Sequence, residues 1–169
     1  MLTTYTHSPH ADAASRSKLL LDICGVAGLV ALGALIRIPL PFSPVPITLQ
    51  TFSVLLAAAL VSRERAVAGI GLYVFLGLLG APLFAVASGA TLGYLVAFLL
   101  APHVVARFRT PLAGMAAASL LIYLLGAAWL CYWLQIPVMV AVSIGVLPFV
   151  PGDLLKLMAA AKCAERMRD

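Results

Sequence analysis

Asp153 and Lys156 stand three residues apart in the stretch Pro148-Phe149-Val150-Pro151-Gly152-Asp153-Leu154-Leu155-Lys156, which is otherwise apolar. On a helix that spacing puts a carboxylate and an ammonium on one face. Together they could accept N–H bonds from a small polar solute and donate N–H bonds to it. An ionisable residue in a membrane helix costs about 2.5–3.5 kcal/mol, so it marks a functional site by default. The plainer alternative is a local ion pair, with Asp153 favoured by a helix N-terminus and Lys156 snorkelling outward. Pro151 and Gly152 are expected to break an incoming helix, with a new one opening beside Asp153.

Other reactive residue types form no constellation. His7, His10 and His103 make no HExxH pattern, and Cys24, Cys131 and Cys163 show no CxxC or Cys/His spacing. No metal, cofactor or redox role is therefore expected, and Cys24 and Cys131, inside apolar runs, read as small buried hydrophobes. Ser88-Gly89 lacks the glycine of a GxSG nucleophile motif, since Val86 stands in its place. His103 falls at the opposite end of its apolar run, too far to serve Ser88 as a base. No GxxxxGK[ST] occurs, so any ATP hydrolysis must come from partners. An enzyme is not expected.

The elements that position Asp153 and Lys156 follow from hydropathy. The 169 residues are 63% hydrophobic and only 10% charged, with a mean hydropathy of +1.10. Soluble domains carry about 25% charged residues, so this is an integral membrane protein. The net charge of +5 does not point to nucleic acid, because the basic residues sit in gaps between apolar runs. Residues 1–18 read as a disordered cytoplasmic tail, and 19–169 as a single six-helix transmembrane domain. The expected spans are 19–36, 48–61, 66–79, 91–106, 112–134, and an interrupted last span made of 138–147 and 153–164. Each last piece is only about half the hydrocarbon thickness, so the break lies at depth, where irregular backbone needs protein or a water-filled cavity around it.

Between the first two spans, four prolines in Ile38-Pro39-Leu40-Pro41-Phe42-Ser43-Pro44-Val45-Pro46-Ile47 predict a stiff non-helical strap, suited to a lid or simply a rigid turn. Residues 80–90 form a second uncharged break, and Trp129, Tyr132 and Trp133 an interfacial aromatic cluster. In the first span, Ala27 and Ala31 lie one helical turn apart and permit close helix approach, either within the bundle or to a partner protein. Arg16, Lys18, Arg63, Arg65, Arg107, Arg109, Lys162, Arg166 and Arg168 fall in alternate gaps and the two tails. By the positive-inside tendency both termini are cytoplasmic. The proline strap, the 80–90 break and the aromatic cluster then meet outside, above the Asp153–Lys156 break, which suggests an outward-opening cavity for a small polar molecule.

Two stretches resemble a known family. Ile38 to Thr51, reading IPLPFSPVPITLQT, and Leu147 to Lys156, reading LPFVPGDLLK, closely resemble the two signatures of the BioY family, and Gly89 with Gly93-Tyr94-Leu95 is similar as well. BioY proteins are the biotin-binding S components of energy-coupling factor (ECF) transporters. The segment from Ala85 to Leu92 is shorter than the family's glycine-rich third loop. The resemblance implies an all-α, six-helix bundle of the ECF S-component type in the bacterial cytoplasmic membrane, surrounded by lipids. It would bind biotin as its transported ligand and dock on a transmembrane coupling protein with paired ATPases. Asp153 would accept the ureido N–H groups, and Lys156 would donate to the ureido carbonyl or the carboxylate. Phe42, Tyr94 and Trp129 would line the apolar wall, with Gln50, Ser88 and Thr48 as lesser polar contacts. Ala27 and Ala31 would supply the docking face. The competing reading is a proton-coupled secondary transporter of a small carboxylate-bearing molecule with Asp153 as its proton site, but the two halves show no inverted repeat.

Overall fold

The computed structural model describes residues 9–81 and 89–167. In chain order these form α1 (Pro9–Leu35), β1 (Arg37–Leu40), β2 (Ser43–Thr48), α2 (Gln50–Leu60), α3 (Arg63–Leu78), α4 (Leu92–Val105), α5 (Pro111–Leu134), α6 (Val138–Gly145) and α7 (Val150–Arg166). The protein is mostly helical, but it is not all-α: the proline strap folds as an antiparallel hairpin. Its register pairs Arg37 with Thr48, Ile38 with Ile47 and Leu40 with Ser43, with an irregularity between Ile38 and Leu40. Pro39 falls in that irregularity. Both strands of a two-stranded ribbon are edges, so a proline that cannot donate is tolerated where its ladder partner is missing.

Helix α1 takes in residues 9–18 of the segment expected as a tail. The α1 backbone begins at Pro9, where proline suits a first helical position and the following Ala-rich residues favour helix. Residues 1–8 lie outside the described residues.

α2 is the centre of the bundle, packed against α1, α3, α4, α5 and α7, and most of its residues are buried. α4 and α5 make the most extensive contact. That contact is built on glycine: a Cβ on Gly93 would strike Trp129, one on Gly114 the Val105 backbone, and one on Gly126 the Tyr94 ring. Close backbone approach of this kind is how helices associate where burial against lipid gives no driving force. Asp22 of α1 pairs with Arg65 of α3. Leu20, Leu21, Leu32, Leu120, Leu124 and Leu155 point outward, as lipid-facing residues do. Cys24, expected inside, is on the exposed side of α1.

Among the described residues, α1 from Ser15 to Leu35 and α5 are long and apolar enough to cross a bilayer. α6 and α7 make a third if read as one span bent by 54°. α2 and α4, with 11 and 14 residues, reach about 16 and 21 Å and are short of a full hydrocarbon core.

The bend differs from expectation in one respect. Pro151 and Gly152 do not break the chain; they lie in the first turn of α7, where proline loses no helical bond. The break is at 146–149, and Asp153 already donates its backbone N–H to Phe149 O at 2.8 Å.

Candidate functional site

Asp153 sits in the first turn of α7, where the helix dipole favours a negative charge. Lys156, one turn on, donates to its Oδ1 at 2.7 Å; the Asp153 side chain is 9% exposed and that of Lys156 13%. A second donor to Oδ1 is the Thr51 hydroxyl at 3.1 Å, and Tyr123 donates to Oδ2 at 2.9 Å. Lys156 also donates to Thr48 O at 2.7 Å and approaches Thr51 Oγ1 at 3.5 Å. The pair is thus buried yet hydrogen-bonded on every atom, which is what makes a buried ion pair tolerable, and each group keeps capacity for one more partner. It joins three elements: α7, α5 through Tyr123, and the β2–α2 junction through Thr48 and Thr51.

A cavity of about 60 Å³ opens beside the pair. β2 contributes Val45, Pro46 and Thr48, the start of α2 contributes Gln50 and Thr51, and α3 contributes Tyr73. Tyr94, Leu95 and Phe98 of α4, Ile122 and Tyr123 of α5, and Phe149 complete the lining. One end is therefore polar and ionic and the other aromatic and aliphatic. Gln50 Nε2 donates to Tyr73 Oη at 2.8 Å, and the Thr48 hydroxyl donates to Gln50 Oε1 at 3.3 Å. Such a cavity suits an amphipathic solute whose polar end can exchange hydrogen bonds with a carboxylate and an ammonium.

Five of the residues expected from sequence meet here: Asp153, Lys156, Tyr94, Gln50 and Thr48. Phe42 does not. It sits at the hairpin turn, 58% exposed. Trp129 does not line the cavity either; its indole N–H donates to Gly89 O at 2.8 Å and its ring stacks on Trp133 at 5.9 Å. Ser88 lies outside the described residues. Ala27 is buried in the core and Ala31 half-buried against it, so Ala27 serves packing inside the bundle.

Thr51 and Tyr123, which hold Asp153, were not anticipated. A phenol in the middle of the α5 apolar run, remote from the aromatic cluster, is the signal that could have found Tyr123. Thr51 stands one turn after Thr48 on the same polar corner.

The hairpin is fastened to the break. Ser43 Oγ donates to Ile144 O at 2.8 Å, and Tyr94 Oη donates to Gly145 O at 2.6 Å. These are carbonyls at the end of α6 that the break leaves without helical partners.

A helical bundle with an apolar exterior and a buried, half-ionic cavity at its broken helix defines a membrane protein that binds a small solute. Residues 7–169 match the BioY family, and the chain belongs to it. It is 37% identical over 154 residues to the biotin transporter BioY of Thermotoga maritima, covering 83% of this chain and 89% of that one. It is 35% identical over 153 residues to a probable biotin transporter BioY of Pyrococcus horikoshii, covering 83% and 90%. The crystal structure of the S-component for biotin from an ECF-type ABC transporter shares its fold, with a TM-score of 0.81 at 24% identity, covering 92% of this chain and 93% of that chain.

Proposed function

We propose that this chain is a biotin-binding membrane subunit that mediates biotin uptake as the S component of an ECF-type transporter. The observation that carries the reading is the buried Asp153–Lys156 pair facing the cavity, in a member of the BioY family. The ureido group offers two N–H donors and a carbonyl, and the valerate a carboxylate. Asp153 accepts from the ureido N–H groups, and Lys156 donates to whichever biotin oxygen reaches it. Val45, Leu95, Phe98, Ile122 and Phe149 enclose the thioether ring and chain.

The chain crosses the cytoplasmic membrane six times, with the α6–α7 pair as one interrupted span and both termini on the cytoplasmic side, where the basic gaps lie. The short α2 is compatible with this because the hairpin precedes it at the outer end of the bundle. Biotin enters from outside. A transmembrane coupling protein and paired ATPases supply the energy, since this chain has no nucleotide motif. α1 borders only one flank of the bundle, and its open Gly25 and Gly28, with half-buried Ala31 at their margin, form the face for that partner.

Equilibrium binding of labelled biotin to the purified protein, with other vitamins as competitors, tests this. Saturable binding that only biotin displaces is expected. Absence of binding, or equal displacement by unrelated vitamins, overturns the assignment.

A further inference from the structure

The bundle has a second cavity at the end opposite the hairpin. It measures about 260 Å³, and Arg63 and Arg109 are the polar side chains in an otherwise apolar lining. Arg63 and Pro111, the first residues of α3 and α5, face it together with Arg109, Phe108 and the end of α2. We infer that this cavity binds a phosphate group, supplied by the headgroup of an anionic phospholipid.

Three independent features point to an anion. Two arginines line one cavity, and the Arg109 guanidinium can fork onto phosphate oxygens. Arg63 gives Nε–H and Nη2–H to Glu64, which leaves its Nη1 edge for an anion. Among the described residues, Arg109 has no acid within ion-pair distance. Second, the N-termini of α3 and α5 both open here, and neither Ser62 nor Thr110 caps its helix through its side chain. The α5 dipole and the first-turn N–H groups after Pro111 add positive potential to that of the arginines, whereas at α3 the first-turn Glu64 offsets it.

The third feature selects the source. Phe108 and Leu112, on either side of the cavity's Arg109 and Pro111, are 46% and 48% exposed. Guanidiniums beside exposed apolar side chains, at the end of a membrane bundle, match a headgroup with its acyl chains better than a free ion.

The full-length protein is purified in a neutral detergent and titrated with short-chain phosphatidylglycerol, short-chain phosphatidylcholine or inorganic phosphate, with thermal unfolding as the readout. Phosphatidylglycerol is expected to stabilise it, phosphatidylcholine not. Arg63→Gln and Arg109→Gln should each weaken the phosphatidylglycerol effect about fivefold, the worth of one basic residue at an anionic surface. Biotin affinity should be unchanged in both, which shows that the variants fold. Equal effects of the two lipids overturn the inference, as does undiminished phosphatidylglycerol binding in the double variant. Protection by inorganic phosphate as strong as by phosphatidylglycerol overturns the lipid as the source. If the double variant keeps lipid binding but no longer copurifies with a coupling protein, the cavity is a protein contact and the inference fails.

Discussion

The hydroxyl of Tyr94 donates to the carbonyl of Gly145 at 2.6 Å, joining α4 to the last residue of α6. Tyr94 therefore serves the cavity with its ring, while its polar tip caps a carbonyl released by the break. Tyr94→Phe keeps the ring and leaves that carbonyl unpaired. A loss of about 1–3 kcal/mol in unfolding free energy is expected, with a smaller effect on biotin affinity. Chemical unfolding in detergent and a binding isotherm separate the two.

Asp153 and Lys156 should behave as a unit. Removing either partner strands the other, at a cost of about 3–5 kcal/mol. Asp153→Asn and Lys156→Met should each be less stable than the wild type, and the double variant more stable than either single one. None of the three should bind biotin. A double-mutant cycle by thermal unfolding, with labelled biotin binding alongside, reads both expectations.

Tyr123→Phe removes one donor from Asp153 Oδ2 and leaves the packing intact. Hydrogen bonds to charged groups contribute about 1.5–3 kcal/mol, so biotin affinity should fall roughly tenfold or more. Phe42→Ala, on the exposed hairpin turn, should leave affinity unchanged. The two isotherms side by side discriminate a cavity residue from a surface one.

Two glycines make opposite predictions. A Cβ on Gly126 would enter the Tyr94 ring, so Gly126→Ala should destabilise by about 1–3 kcal/mol. Gly152 lies in α7 with open space around its Cα. Gly152→Ala should be neutral or stabilising by up to about 1 kcal/mol. Melting temperatures of the two variants check this directly.

Much of the site was legible because charge is conspicuous among apolar residues. Asp153 and Lys156 announce themselves, and Thr48 and Gln50 stand at the entry to a span. Tyr123 was hidden because one phenol inside a run of leucines and alanines carries no periodic signal; only the crossing of α5 with α7 gives it a carboxylate. Phe42 is harder to place for the converse reason: an aromatic between prolines looks like a lid residue, and its position in the turn between β1 and β2 leaves it exposed. Pro151 reads as a breaker in the sequence because proline usually is one, yet in the first turn of α7 it is a starter. The four prolines correctly excluded a helix between α1 and α2. That they allow a hairpin depends on Pro39 falling at the bulge, which residue types do not disclose.

The hairpin is held at both ends of β2, by Ser43 on Ile144 O and by Lys156 on Thr48 O. The second tie uses the ammonium that biotin engages in the proposed function. A solute that claims Lys156 therefore loosens the strand that walls its own chamber. On the proposed function, arrival and unlatching would be one event, and release of the strand would limit uptake. Association is then expected to be slower than diffusion, steep in temperature, and quickened by Ser43→Ala, which stopped-flow binding would record.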